Sequence, residues 1–287
     1  MNRVIDLQGV ANFRDVGQTV NRFLGRKFVR EGVLFRSARP DDASSADKAL
    51  IKDDLGIRTI IDLRTNTELI KQAQKLARYH EHASSIPSAW FSPRPTLPHI
   101  DGITYREIKI TGRAFEMHLL RQLSWWSFLK VILFFILGYR ISAIRIMATE
   151  VMLPRGLLGL GIDTVDRSGL EIKRALSLYA NGDSLPILVH CTQGLIIILV
   201  LMILGTPLHA IEHDYSLTNA ALEAQKAHIL NEVREIGLTD EWVATSPVMI
   251  RGLQKHLNLK YGGLEAYLDG IGFDAEMRTR LRELLMC

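Results

Sequence analysis

From Leu185 to Leu204 the chain runs through Leu185-Pro186-Ile187-Leu188-Val189, a polar turn at His190-Cys191-Thr192-Gln193-Gly194, and an unbroken apolar run, Leu195 to Leu204. A compact strand without polar alternation has to be covered on both faces, and a helix apolar on every side has to be buried on every side. The run is well short of the roughly 20 apolar residues that cross a bilayer, so the place to bury it is a protein core. Strand, tight turn and buried helix together call for a sheet with helices packed over it.

Other segments repeat the alternation. Ile57 to Leu63, with Ile60-Ile61 at its centre, reads as a buried strand, and Ile103 to Ile110 alternates as one. Ala46, Ala49 and Leu50 mark a helix face that ends before Gly56, and Thr65-Asn66-Thr67-Glu68 fits a capping box opening a helix to about Tyr79. Gly9 to Gly17 is rich in turn residues, while Lys27 to Val29 and Val33 to Phe35 read as a hairpin about Glu31-Gly32. Pro87 to Pro98 is a connector. Val165 to Tyr179 is a helix stopped by Asn181-Gly182. The last third is helical, punctuated by Gly237, Gly262 and Gly263, with Ser246-Pro247 as an N-cap and first-turn pair. The pattern predicts an α/β fold, one domain over residues 1–287, with its central sheet flanked by helices. At 287 residues, 47% apolar and 23% charged, the chain has the material for such a core.

One stretch departs from the pattern. Residues 113–160 read as a helical insertion, basic and strongly apolar: Arg113, Arg121, Lys130, Arg140, Arg145 and Arg155 outnumber Glu116 and Glu150. Its Trp125–Leu137 run is interrupted by Lys130 and, like the run from Leu195, is expected to be a buried helix. Gly156, Gly159 and Gly161 are read as punctuation closing the insertion, since their spacing misses the dinucleotide fingerprint. Residues 113–155 fit either a solvated basic helical face or peripheral contact with an anionic membrane. The net charge of +4 is too small to point to nucleic acid. The N-terminus has no apolar signal region, and the two cysteines, Cys191 and Cys287, suit a reducing compartment. The expected location is cytoplasmic, with membrane-peripheral contact as the option the basic segment leaves open.

Cys191 follows a buried strand and precedes a helix N-terminus, where unpaired amides and the positive end of the helix dipole lower a thiol pKa and attract anions. Position alone fits that reactive thiol and an inert core cysteine equally. The motif around it decides more. His190-Cys191-Thr192-Gln193-Gly194 resembles the phosphate loop of cysteine-dependent phosphatases, in the tyrosine-phosphatase-like branch that includes bacterial secreted enzymes acting on phosphoproteins and phosphoinositides. Ala11-Asn12-Phe13-Arg14-Asp15-Val16-Gly17, Leu34-Phe35-Arg36-Ser37-Ala38, Ile61-Asp62-Leu63-Arg64, Asp214-Tyr215-Ser216-Leu217-Thr218-Asn219 and Tyr261-Gly262-Gly263-Leu264-Glu265-Ala266-Tyr267 resemble further motifs of that branch, in order. The likeness is weakest from about Pro87 to Leu160.

The resemblance implies a tyrosine-phosphatase-like fold and hydrolysis of phosphate monoesters through a cysteinyl-phosphate. Cys191 would be the nucleophile. Thr192, Gln193 and Gly194 would bind phosphate, while Asn12, Arg14 and Asp15 would support the pocket. No metal or organic cofactor is implied, and the partners would be a phosphorylated protein or a phosphoinositide. One departure matters. The family uses Cys-x5-Arg, and here Ile197 stands six residues past Cys191, with no arginine until Arg234. Gly194 joins Leu195 directly, as though Lys-Asp-Arg-Thr-Gly of the family loop were missing. The missing arginine clamp is worth on the order of 10²–10³ in rate, and the missing loop acid about 10²–10⁴. The chain is therefore either a pseudophosphatase binding phospho-ligands or membrane surface, or an incomplete reading of an active enzyme's gene. A separate pattern, His209-Ala210-Ile211-Glu212-His213, fits the inverted zinc-protease spacing but has no third ligand in view.

Overall fold

The computed structural model describes residues 7–65, 68, 69, 72, 99–190 and 194–287. A five-stranded sheet lies at its centre, built from β1 (Arg14–Asp15), β2 (Leu34–Ser37), β3 (Thr59–Asp62), β4 (Thr104–Glu107) and β5 (Ile187–His190) in the order β1-β2-β5-β3-β4. β2, β5, β3 and β4 run parallel, and β1 closes the edge antiparallel to β2. Phe35, Leu188 and Ile60 share one row across the three inner strands, so their side chains point to one face. They join Ile51, Ile57 and Ile103 in one core layer. Leu34, Ile61, Ile187 and Val189 point the other way, into a larger core. The apolar strands are thus covered on both faces, which is the α/β arrangement their composition demands.

The larger core is supplied by α1 (Val16–Leu24), α7 (Gly169–Tyr179), α8 (Leu195–Ile203), α9 (Leu208–Ala221), α11 (Met249–Tyr261), α12 (Leu264–Gly270) and α13 (Ala275–Leu285). The short α2 (Ser45–Ala49) covers the opposite side, and α10 (Lys226–Glu235) lies at the periphery with no buried residue. Between β4 and α7 come α3 (Arg113–Leu120), α4 (Trp125–Ile136), α5 (Arg140–Met147) and α6 (Leu153–Arg167). Phe115, Leu119, Leu123, Val131, Ala143, Val151 and Leu160 give these helices a small core of their own. Among the described residues no helix is long and apolar enough to cross a membrane.

Several expectations need correcting. The turn-rich opening contains α1: Asp15 caps it by accepting a hydrogen bond from the Gln18 amide at 3.2 Å, and Val16 and Val20 bury its inner face. No hairpin forms about Glu31-Gly32. Val29 instead bridges Met286 near the C-terminus, and the Asn21 side chain binds the Phe28 and Val29 backbone from α1. Of the three glycines after the insertion only Gly156, with φ +63°, interrupts a helix. Gly161 is helical, and a Cβ there would lie 3.0 Å from Met249 Sδ, so it serves the close approach of α6 and α11. The helix expected from Val165 divides at Ser168. Ser246-Pro247 is a lead-in turn, with α11 starting only at Met249.

The largest correction concerns the apolar runs. α8 is buried as expected, but α4 is not: it hides Ser127 and Val131 while Trp125, Trp126 and Ile136 remain 67%, 71% and 76% exposed. The Thr65 capping box is formed, with the Glu68 carboxylate accepting from the Thr65 amide at 2.8 Å. Most of the helix it opens, and the Pro87–Pro98 connector, lie outside the described residues.

Candidate active site

Three strands end together. Ser37, His190 and Asp62 are paired in register at the C-terminal edges of β2, β5 and β3, the edge at which open α/β sheets bind their ligands. β5 ends at His190 and the next described residue is Gly194; Cys191, Thr192 and Gln193 lie outside the described residues. Gly194 is the N-cap of α8 in a left-handed conformation, φ +64° and ψ 5°. A Cβ there would sit 2.7 Å from Nη2 of Arg36. Both the backbone conformation and the space demand glycine.

Among the described residues no side chain caps α8, and its first turn holds no acidic residue, so the helix presents the positive end of its dipole at the strand edge. Arg36, Ser37, Gly194, Ile196 and Ile197 line a pocket there. Arg36 rises from β2, and its Nη1 donates to Asp214 Oδ2 of α9 at 2.7 Å. Arg14, from β1, donates through Nε to Asp214 Oδ1 at 2.8 Å, and through Nη2 to the Asp214 carbonyl at 2.7 Å and Thr218 Oγ1 at 3.3 Å. Asp214 and Thr218 are one helical turn apart, so both reach Arg14 from the same face. Asn12, at φ +57°, folds back so that its Oδ1 accepts from Arg14 Nη1.

The electrostatics follow from the count of charges. Two guanidinium groups share one carboxylate, which leaves the cluster one positive charge in excess beside the α8 N-terminus. Burial pushes the Asp214 pKa up, but Arg36 and Arg14 outweigh it and hold the carboxyl below its ordinary range. Burial and the neighbouring Arg36 lower the Arg14 pKa, with Asp214 opposing them.

A second cluster flanks β5 on its other side. Arg64 donates to Asp62 through Nη2 at 2.7 Å and Nε at 3.0 Å, and its Nη1 pairs with Asp41. His190 Nε2 lies 3.9 Å from Asp62 Oδ2. Burial would raise the Asp62 pKa, yet its hydrogen bonds from Arg64 and the nearby His190 lower it. Lys48, Tyr105 and Glu107 complete a cleft of about 440 Å³, open mouth included, over this cluster.

Of the residues singled out from sequence, Asn12, Arg14 and Gly194 stand within this arrangement. Asp15 does not reach it: its carboxylate caps α1 and accepts from the Gly32 amide at 2.6 Å, toward the start of β2. Arg36 and Asp214 were read only as parts of family-like motifs, and the structure puts them at the centre. The available signal was a charge within an apolar pattern, Arg36 after Leu34-Phe35 and Asp214 before Tyr215. Ile197, six residues past Cys191, is buried in the first turn of α8. His209 and His213 of the zinc-like pattern pack against Phe23, and Glu212 pairs with Arg251. Among the described residues no group of three or more His, Cys, Asp or Glu is placed to hold a metal ion.

No curated protein matches the chain. A family model described as the tyrosine phosphatase family matches residues 5–129 and 147–287, leaving aside 130–146. The match takes in all five strands, both sides of the β5–α8 turn, and the Arg14–Asp214–Arg36 cluster. The chain belongs to the tyrosine phosphatase family, and so to the phosphatase-like enzymes at family level.

Proposed function

We propose that the strand edge at Gly194 takes phosphate monoesters, carried by a phosphorylated protein or a phosphoinositide, and that the chemistry belonging to it is hydrolysis through a cysteinyl-phosphate on Cys191. The observation that carries the reading is the excess positive charge of Arg14 and Arg36 over Asp214, set beside the N-terminus of a helix whose first turn holds no acidic residue. A phosphate dianion complements both. In the first step the Cys191 thiolate forms an S–P bond while the ester P–O bond breaks, and the leaving alkoxide takes a proton from water. Water then attacks phosphorus, the S–P bond breaks, and inorganic phosphate leaves with the thiolate restored. Gly194 holds the end of the loop, and Asn12 orients Arg14.

Ile197 favours a second reading, binding without turnover. The residue six past Cys191, where Cys-x5-Arg calls for the arginine that forks onto the transferring phosphoryl group, is the buried, apolar Ile197, and the loop acid is missing from the sequence as well. In this reading the site retains affinity for phosphate esters but lacks the groups that stabilise the transition state.

Hydrolysis of a small aryl phosphate separates the two. The chain as it stands is expected to fold and to turn over little or no ester. Insertion of Lys-Asp-Arg-Thr-Gly between Gly194 and Leu195 is expected to create turnover that Cys191→Ser abolishes. Robust Cys191-dependent turnover by the unaltered chain would overturn the binding reading. A folded, inactive insertion variant, with no competition by phosphate for alkylation of Cys191 in the parent, would overturn the phosphate site itself.

A further inference from the structure

Among the described residues, one side of α4 has no partner. Trp125, Leu129, Leu133 and Ile136 follow one another at three- and four-residue steps, with Trp126 and Ile132 beside them, and all are exposed. The opposite side, Ser127 and Val131 with Phe128, Phe134 and Phe135, packs into the small core of α3 to α6. The apolar side is continued by Leu137, Tyr139 and Ile141 at the turn into α5. Apolar patches of this extent on a soluble chain mark a contact.

Charge says with what. Lys130 is the one charged residue of α4, exposed within the apolar side, where its aliphatic stem can lie along the surface and its ammonium reach outward. Arg121 is exposed just before the helix, and Arg145 beyond it. From Met117 to Thr149 there is no aspartate or glutamate. A second copy of this chain, docked by the same face, would set Lys130 and its neighbours against their like with no acid to pair them. The family match leaves out 130–146, which holds most of this surface.

We propose that the exposed side of α4 is a docking surface for an anionic lipid bilayer. The helix lies in the interface plane, Trp125 and Trp126 sit at headgroup level, and Leu129, Leu133 and Ile136 enter the acyl boundary. Arg121 and Lys130 meet the anionic headgroups. The inference stands apart from the phosphate reading, because the contact is made by residues outside the strand edge.

The test is co-sedimentation of the full chain with vesicles of phosphatidylcholine alone and of phosphatidylcholine mixed with phosphatidylserine. Phosphatidylserine is anionic but is a phosphodiester, so it offers the strand edge no monoester, and the outcome does not turn on that site. Binding is expected to the mixed vesicles, to weaken as salt rises, and to fall at least tenfold in Trp125→Ser/Trp126→Ser. Lys130→Gln is expected to lower it about fivefold. These side chains are exposed, so the variants retain the parent's circular dichroism and thermal midpoint. Equal binding to both vesicle types, binding to neither, or unchanged binding by the double tryptophan variant would overturn the proposal. So would a dimer in light scattering that the double variant dissolves, since a second copy would then own the face.

Discussion

α8 and α4 are both apolar along nearly their whole length, yet α8 gives every side chain but Met202 fully to the core, while α4 gives only Ser127 and Val131. The difference lies in what surrounds each helix. α8 begins at the strand edge and contributes to the large core below the sheet together with α1, α7, α9 and α11, so it meets apolar surface in every direction. α4 belongs to a four-helix annex with a separate, smaller core, and that core reaches it from one side only. Apolar content tells how much surface a segment would bury. It does not tell how many neighbours the fold will supply.

The comparison extends to charge. The body around α8 buries ions: Asp214, Arg36 and Arg14 meet at the sheet edge with little access to solvent. The annex keeps Lys130 and Arg121 outside. Substitutions should therefore cost much in the body around α8 and little on the exposed side of α4. Asp214→Ala is the severest. It leaves two buried guanidinium groups without their shared carboxylate, and loss of about 3–5 kcal/mol is expected in urea unfolding. Leu199→Ala, fully buried in α8, follows at roughly 2–5 kcal/mol from lost transfer energy and the cavity left behind. If Leu199→Ala were as mild as a surface change, α8 could not be the buried helix described here.

Acid should act on the body as well. The Asp214 carboxyl is held below its ordinary value, so the stability it lends is fully present above the unfolded carboxylate pKa, about 4, and is lost as pH falls through the lower folded value. Asp62, lowered by Arg64, acts in the same direction. Unfolding midpoints are expected to be flat for these groups from pH 7 to about 5 and to drop below about 4. Asp214→Asn should flatten that acid limb. An acid limb as steep in the variant as in the parent would mean that Asp214 is not the group being titrated.

How far the sequence discloses all this depends on the range of the interaction. β3, β5 and α8 are legible because Ile60-Ile61, Ile187-Leu188-Val189 and the Leu195 run carry their burial in their own composition. α1 was missed because its two-residue preceding strand and its glycine at position 17 look like a turn, although Asp15 before Val16 and Val20 is an N-cap signal in plain view. The supposed hairpin failed because Val29 finds its partner at Met286, a distance along the chain that no local pattern encodes. The site divides the same way. A cysteine between strand and helix is a local feature, as is a glycine at the helix start. That Arg14 and Arg36 share Asp214, some 200 and 178 positions away, is not. Exposure of α4 is the hardest of these to read, since it depends on which other elements of the fold pack against the helix.

The smallest expected effect is the sharpest check on the comparison. Leu133 in α4 is 51% exposed, against 0% for Leu199 in α8, and both are leucines in apolar helices. Leu133→Ala removes surface that water already touches, opens no cavity, and places a residue of equal or better helix propensity in the helix. Its stability change is expected to stay within about 0.5 kcal/mol of the parent. The same substitution should lower affinity for phosphatidylserine vesicles, because there the side chain leaves water for the acyl boundary. A cost approaching that of Leu199→Ala would show that this side of α4 is covered after all in the folded chain, and the contrast between the two helices would vanish with it.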